Sequence, residues 1–213
     1  MSTSNDAAFD ESPRLWRKAE SRADIISHLS EAISQIDNKR DIAREEKLTS
    51  PVRARALRLL AHRDRSAHEL RERLVDAEFP PSTVDKVIAD LVNSRLIDDR
   101  RFAKEWVRQR RTRRGKSRRV LRDELHHKGV STEDCDYVLS MVNDDDEQAL
   151  ARQVAQDRAR RIHTLPTDHN EKLKHLRRIA SALARRGFPP GMSHNIARQV
   201  LDEKLDALSK DSR

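Results

Sequence analysis

The sequence predicts an all-α protein: an elongated, curved array of three tandem three-helix repeats, helix-turn-helix-like in outline, behind an N-terminal extension. Three observations lead there. The four glycines and seven prolines in 213 residues are too few for the turns of a β-sandwich or barrel, and all of them fall where a helix end can be placed. Val, Ile and aromatic residues nowhere alternate at period two. The chain also repeats. Adding 51 maps Ser66, Leu70, Leu74, Phe79, Val84, Val87 and Ile88 onto Ser117, Leu121, Leu125, Val130, Cys135, Val138 and Leu139. Adding 58 more maps Leu121, Leu125, Gly129, Val130, Val138 and Val142 onto Ile179, Leu183, Gly187, Phe188, Ile196 and Val200. Units this small cannot stabilise themselves alone, so neighbours are expected to bury one another's flanks.

Residues 1–49 form the extension. Residues 1–22 read as disordered, and Ile25, Ile26, Leu29, Ile33 and Ile36 line a helix near 23–37 that either caps the array or stays mobile. Repeat 1, residues 50–97, opens at Ser50-Pro51, an N-cap followed by proline at the first helical position, and its first helix ends near Arg63-Asp64-Arg65. Ser66-Ala67-His68-Glu69 and Ser82-Thr83-Val84-Asp85 read as capping boxes that start the second and third helices. Gly129 and Gly187 occupy the C′ position after the middle helices of repeats 2 and 3, where φ > 0 is wanted. Glu78 holds that place in repeat 1, which predicts a different local turn there, helped by Pro80-Pro81. Repeat 2, residues 98–143, begins at the N-capping pair Asp98-Asp99, with Phe102, Ala103, Trp106 and Val107 facing inward and Trp106 as a core anchor. Repeat 3, residues 144–208, carries Leu150, Ala151, Val154, Ala155 and Ile162, crosses a polar loop around Pro166, and continues with Leu173, Leu176, Ala180 and Leu183 before the tail at 209–213.

Composition narrows the function. One cysteine, Cys135, closes no intrachain disulfide and has no CxxC partner, and its register with Val84 predicts a buried, unreactive core position. Adjacent His126 and His127 point about 100° apart on a helix and do not chelate one ion. The run Asp144-Asp145-Asp146-Glu147 reads as a linker that caps the next helix. No nucleotide-loop, zincin, nucleophile-elbow or paired-carboxylate constellation is present, so the chain is expected to be no enzyme and to need no cofactor or metal. The absence of a long apolar run or signal-like N-terminus predicts a cytoplasmic protein without membrane contact.

Positive charge is the outstanding feature. Between Arg100 and Arg122 twelve Lys and Arg face Glu105 alone, a local +11 that exceeds the chain's +8 and leaves the remainder at −3. The positive field is therefore expected to concentrate on the middle repeat. The candidate DNA- or filament-binding residues are Arg108, Arg110, Arg111, Arg113, Arg114, Lys116, Arg118 and Arg119, in a segment that bridges two helices where it can project. Arginine's bidentate geometry suits phosphate or carboxylate, while the scarcity of aromatics argues against base stacking. Changing Arg110, Arg111, Arg113 and Arg114 to alanine is expected to preserve folding.

Three segments carry a resemblance: Arg63-Asp64-Arg65-Ser66-Ala67-His68-Glu69-Leu70, Leu96-Ile97-Asp98-Asp99-Arg100-Arg101-Phe102-Ala103, and Arg122-Asp123-Glu124-Leu125-His126-His127-Lys128-Gly129-Val130. They resemble the bacterial RecX family of recombination regulators over residues 52–142, and more weakly to about 205. The resemblance implies nine helices in three repeats. It also implies a monomeric regulator in DNA repair, recombination and the SOS response, whose partners are the RecA recombinase filament, single-stranded DNA and double-stranded DNA. Such a protein lies along the filament groove and restrains ATP hydrolysis, strand exchange and coprotease activity. Two positions depart from the family pattern: Arg95 stands where glycine is frequent, and Ser117 where some members carry a second one. The alternative is a sequence-specific helix-turn-helix DNA-binding regulator. Against it, the third helices carry few Arg, Asn or Gln to read base edges.

Overall fold

A computed structural model describes residues 22–211, with side chains from Ile26 to Lys210. The expectation of disorder for residues 1–22 lies outside the described residues apart from Arg22, as does the side chain of Ile25. Among the described residues all regular secondary structure is helical: α1 (Arg22–His62), α2 (Ala67–Val75), α3 (Pro81–Asn93), α4 (Asp99–Arg114), α5 (Arg118–His127), α6 (Thr132–Ser140), α7 (Asp144–Ala159), α8 (His169–Ala184) and α9 (Pro190–Asp211). The chain divides into two units, Met1–Leu48 and Thr49–Arg213, with the division inside α1. In the first, Ile26, Leu29, Ile33 and Ile36 lie on α1 and are each more than half exposed.

No helix starts at Ser50. Pro51 sits inside α1, contrary to the N-capping expectation. The residues before it, including Arg44-Glu45-Glu46-Lys47-Leu48, are strong helix formers, so a helix nucleated upstream runs through the proline and gives up one backbone hydrogen bond.

Three cores fill the second unit. Val52, Ala56, Leu70, Leu74, Val84, Val87, Leu91 and Ile97 join the end of α1 to α2 and α3. Phe102, Ala103, Val107, Leu121, Leu125, Cys135, Val138 and Leu139 join α4, α5 and α6. Ala151, Ala155, Ile179, Leu183, Phe188, Ala197, Val200 and Leu201 join α7, α8 and α9. Cys135 is fully buried, and burial pushes its thiol up, which suppresses the reactive thiolate. Leu74, Leu125 and Leu183 are each 0% exposed, and each closes the same turn: their carbonyls accept from Phe79 N, Val130 N and Phe188 N.

That shared turn corrects the expectation for repeat 1. Glu78 takes φ 65°, alongside Gly129 at 71° and Gly187 at 86°, so the left-handed turn is kept and glutamate bears its strain. Arg95, at φ 57°, ends α3 the same way, with Leu96 N donating to Leu91 O. Glu78→Gly and Arg95→Gly are each expected to raise the unfolding free energy by about 1 kcal/mol, measurable by urea denaturation, because a side chain in this region costs about that much.

Of the two capping boxes, the first is half formed and the second does not form. Ser66 Oγ accepts from Glu69 N at 3.1 Å, but the Glu69 carboxylate turns to Arg63 and Lys128 instead of the Ser66 N–H. Helix α3 begins at Pro81 with no side-chain cap, and Asp85 pairs with Arg71 at 2.6 Å rather than serving Ser82. Proline preset to helical φ at the first position makes a serine cap one residue later redundant. Asp98 caps α4 as its type and place predict, accepting from Arg101 N at 2.8 Å. Asn143 caps α7, and the acidic run forms that helix's first turn, facing the positive end of the dipole.

Consecutive repeats meet through a junction made twice. At the first, the Asp99 carboxylate accepts from the Ala67 N–H at 2.8 Å, and Ser66 Oγ donates to Lys128 O at 2.6 Å. At the second, the Glu147 carboxylate accepts from the Arg118 N–H at 2.8 Å, and Ser117 N donates to Arg186 O at 3.0 Å. The first helix of each later repeat thus supplies a carboxylate to the N-terminus of the previous middle helix. The turn after its own middle helix seats against the same helix start. Ser66 and Ser117 are buried by it.

Candidate functional site

The basic segment is ordered helix rather than a projecting bridge. Arg108, Arg110, Arg111, Arg113 and Arg114 occupy the last turns of α4, Gly115 ends it at φ 58°, and Lys116 leads to α5, where Arg118 and Arg119 start. Gly115 is confined as well, since a Cβ there would stand 2.7 Å from Val154 Cγ2 of α7.

Most of the charge is answered locally. Arg100 pairs with Asp134 at 2.6 Å, Arg108 with Glu105 at 2.7 Å, Arg110 with Glu124 at 3.6 Å, Arg111 with Glu147 at 2.5 Å and Arg122 with Asp136 at 2.9 Å. Lys116 pairs with Glu124 and Arg118 with Asp144. Arg118 also donates to Val142 O at 2.9 Å, and Arg111 to Asp146 O at 3.0 Å. Arg113, Arg114 and Arg119 are exposed and have neither an ion pair nor a side-chain hydrogen bond among the described residues. The concentration of the field on the middle repeat is accordingly weaker than the residue count predicts, because carboxylates distant in sequence fold onto it.

Arg111 and Arg110 have structural roles, which corrects the expectation that alanine at Arg110, Arg111, Arg113 and Arg114 together would leave folding untouched. Glu147 is 4% exposed, and Arg111 is its cationic partner. Breaking such a pair strands a buried charge. The Arg110 guanidinium lies 4.1 Å from the Trp106 ring centroid, and Trp106 Nε1 donates to Glu124 at 2.9 Å. Trp106 is therefore half-buried, one part packed on Phe102 at 5.6 Å between centroids and another covered by a cation.

Glu69 and Glu124 hold these clusters together, and both carboxyls lie below the ordinary glutamate value of 4.5. Burial would push each up. For Glu69 the hydrogen bond and charge of Arg63, joined by Lys128, outweigh burial; for Glu124 Lys116, Trp106 and Arg110 do so. A folded value below the unfolded one means that the folded state binds fewer protons, so this stabilisation is present above pH 4.5 and lost as pH falls through the folded values. The melting temperature is expected to drop as pH is lowered below about 4.5, and Glu69→Gln and Glu124→Gln should each flatten that acid limb in a pH series of thermal melts.

Sequence counting missed a second basic set. Lys174, Arg177 and Arg178 project from α8, Arg185 caps its C-terminus, and with Arg158 of α7 they line one cleft. Their spacing of three, four and seven residues along one helix face is the signal that would have found them.

No group of three or more His, Cys, Asp or Glu is placed to hold a metal among the described residues, and none of the described helices is long and apolar enough to cross a membrane. His127 Nδ1 lies 2.6 Å from Asp123 O, and both His126 and His127 are exposed.

Comparison with known proteins gives concordant matches. Residues 53–91 match the family model described as RecX, first three-helix domain, and residues 98–139 that described as RecX, second three-helix domain. A protein called Regulatory protein RecX from Corynebacterium efficiens is 46% identical over 163 residues, which cover 76% of this chain and 78% of the relative. One of the same name from Streptomyces coelicolor is 36% identical over 152 residues, 71% of this chain and 78% of the relative. A crystal structure of RecX from Lactobacillus salivarius superposes with TM-score 0.59 at 22% identity, covering 76% of this chain and 98% of that one. That likeness shows a common fold. With identity spread over three quarters of the sequence and two adjacent domain models in order, the chain belongs to the RecX family.

Proposed function

We propose that this protein is a non-catalytic modulator of the RecA recombinase. In this reading it binds the RecA filament on single-stranded DNA and restrains its ATP hydrolysis, strand exchange and coprotease activity. Membership of the RecX family, at 46% identity over 163 residues to a named regulatory protein, carries the reading. Exposed Arg113, Arg114 and Arg119, free of partners among the described residues, support contact with DNA phosphates or acidic groups of the filament. The modulator acts by preferring one filament state, since equal affinity for two states shifts neither. The helix-turn-helix regulator is disfavoured by charge: α6 carries Glu133, Asp134 and Asp136 and no Lys or Arg, a face that phosphates repel.

The test adds purified protein to RecA on single-stranded DNA and follows DNA-dependent ATP hydrolysis. Inhibition that saturates is expected, and no effect at saturating protein would overturn the reading. In Arg113→Ala/Arg114→Ala/Arg119→Ala the fold is expected to persist. The slope of log affinity for single-stranded DNA against log salt should shrink by up to ~2, at about 0.7 for each phosphate no longer neutralised. Lost inhibition with an unchanged slope would place these arginines on RecA instead.

A further inference from the structure

The face shared by α7 and α8 is as basic as the middle repeat and far less neutralised. Residues 158–186 hold nine Lys and Arg against Asp168 and Glu171, and two of the nine are paired from outside that stretch, Arg160 with Asp157 at 3.2 Å and Lys172 with Asp202 at 2.8 Å. Glu171 is occupied, accepting from Thr167 N at 2.7 Å. A cleft of about 310 Å³ is lined by Arg158, Lys174, Arg177, Arg178, Ser181 and Arg185, five cations and a hydroxyl, with no carboxylate and no apolar side chain. None of the five has an ion pair or side-chain hydrogen bond among the described residues. Arg158 is half-buried, and the other four are exposed. Beyond it, Arg161 and His175 line an adjoining cleft that shares Arg158 and Arg178.

Like charges gathered at helix spacing repel one another and cost stability unless something anionic answers them. From Lys174 to Arg185 the row runs along roughly 16 Å of helix, at 1.5 Å per residue, so a single carboxylate or free phosphate would leave most of it unanswered. A protein partner would need an apolar centre to its interface, and the cleft offers none. It also offers no aromatic platform for a base.

We propose that the α7–α8 face is a second nucleic-acid site, which grips the phosphodiester backbone of single-stranded and duplex DNA alike without reading bases. Its chemistry is charge neutralisation with counterion release, Arg158 at the floor of the cleft and Lys174, Arg177, Arg178 and Arg185 along its length. The cleft shares no lining residue with the one that Arg113 and Arg114 line. It goes beyond the proposed function and does not require RecA to be the target.

The experiment measures binding of the full chain to a fluorescent oligo-dT 30-mer and to a 30-base-pair duplex, without RecA, across a salt series. Lys174→Ala/Arg177→Ala/Arg178→Ala/Arg185→Ala is expected to lose at least ~10-fold in affinity for both at 0.1 M salt, with the slope on oligo-dT reduced by up to ~3, at about 0.7 per phosphate. A companion variant with lysine at Arg177, Arg178 and Arg185 should keep most of the slope, because it keeps the charge. Helical content and melting temperature should stay at or above the parent's, as exposed like charges are removed. Unchanged affinity and slope in the alanine variant would overturn the proposal. Unchanged DNA binding with a lost effect on the RecA ATPase would also overturn it, and would assign the face to an acidic protein surface. Loss of DNA binding with the ATPase effect intact would sustain the site and count against DNA contact as the basis of regulation.

Discussion

Replacing Leu125 by aspartate is expected to unfold the middle three-helix repeat. Leu125 is 0% exposed and lies in the core formed by Phe102, Val107, Leu121, Cys135 and Val138. Its carbonyl also closes the turn that carries Gly129, by accepting from Val130 N at 3.1 Å. Removing a buried leucine costs about 2–5 kcal/mol in transfer energy and cavity formation. A carboxyl group without a partner adds about 1–3 kcal/mol even when it protonates, and more if it must ionise. The sum rivals the whole stability of a small domain, about 5–15 kcal/mol. Far-UV circular dichroism should show a large loss of helix at pH 7, with partial recovery toward pH 5 as the carboxyl becomes neutral. Leu125→Met, which conserves volume, should cost less than about 1.5 kcal/mol. The register makes Leu74→Asp and Leu183→Asp equivalent, since both side chains are also 0% exposed and close the same turn. A soluble, fully helical protein at all three positions would refute the shared register.

The repeats were legible because burial in a helix is written as a spacing, and the three turns reuse one hydrogen-bond pattern whose apolar ends stand 51 and 58 residues apart. The electrostatics were not legible, because neutralisation is a tertiary event. Arg111 meets a carboxylate 36 residues away, Arg100 one 34 away and Arg122 one 14 away. A window that counts charge in a line sees the arginines and misses their partners. The α7–α8 face failed in the opposite sense: its cations are diluted along the chain by core residues such as Leu176, Ile179 and Leu183 and converge only when α8 winds. Glu78 misled for a related reason. Glycine at a C′ position answers two demands, a positive φ and a close neighbour, and exposed Glu78 meets only the first.

Gly129→Ala should destabilise the protein by about 3 kcal/mol, whereas glutamate is tolerated at the equivalent Glu78. Two costs combine at Gly129: φ 71° with a Cβ, worth about 1–2 kcal/mol, and overpacking, worth about 1–3 kcal/mol. The second is severe because the new Cβ would lie 2.2 Å from His68 Cβ, an atom fixed to the backbone of α2 that no rotamer change can move. At Gly187 the nearest atoms are Val120 Cγ2 at 2.2 Å and Ser117 Oγ at 2.7 Å, both able to rotate, so Gly187→Ala should cost less. Gly191→Ala supplies the control: nothing stands within 4 Å of its Cβ position in α9, so alanine there should stabilise by about 0.5–1 kcal/mol through helix propensity. Urea denaturation ranks the three. Hydrogen exchange locates the damage, because pushing the Gly129 turn off α2 should release the Ala67 N–H from Asp99 and speed its exchange ahead of amides in the repeat 3 core. Adding His68→Gly to Gly129→Ala should recover the steric part and leave the φ part. If Gly129→Ala proved no costlier than about 1 kcal/mol, backbone strain alone would account for the glycine, and the junction between the first two repeats would be looser than these distances require.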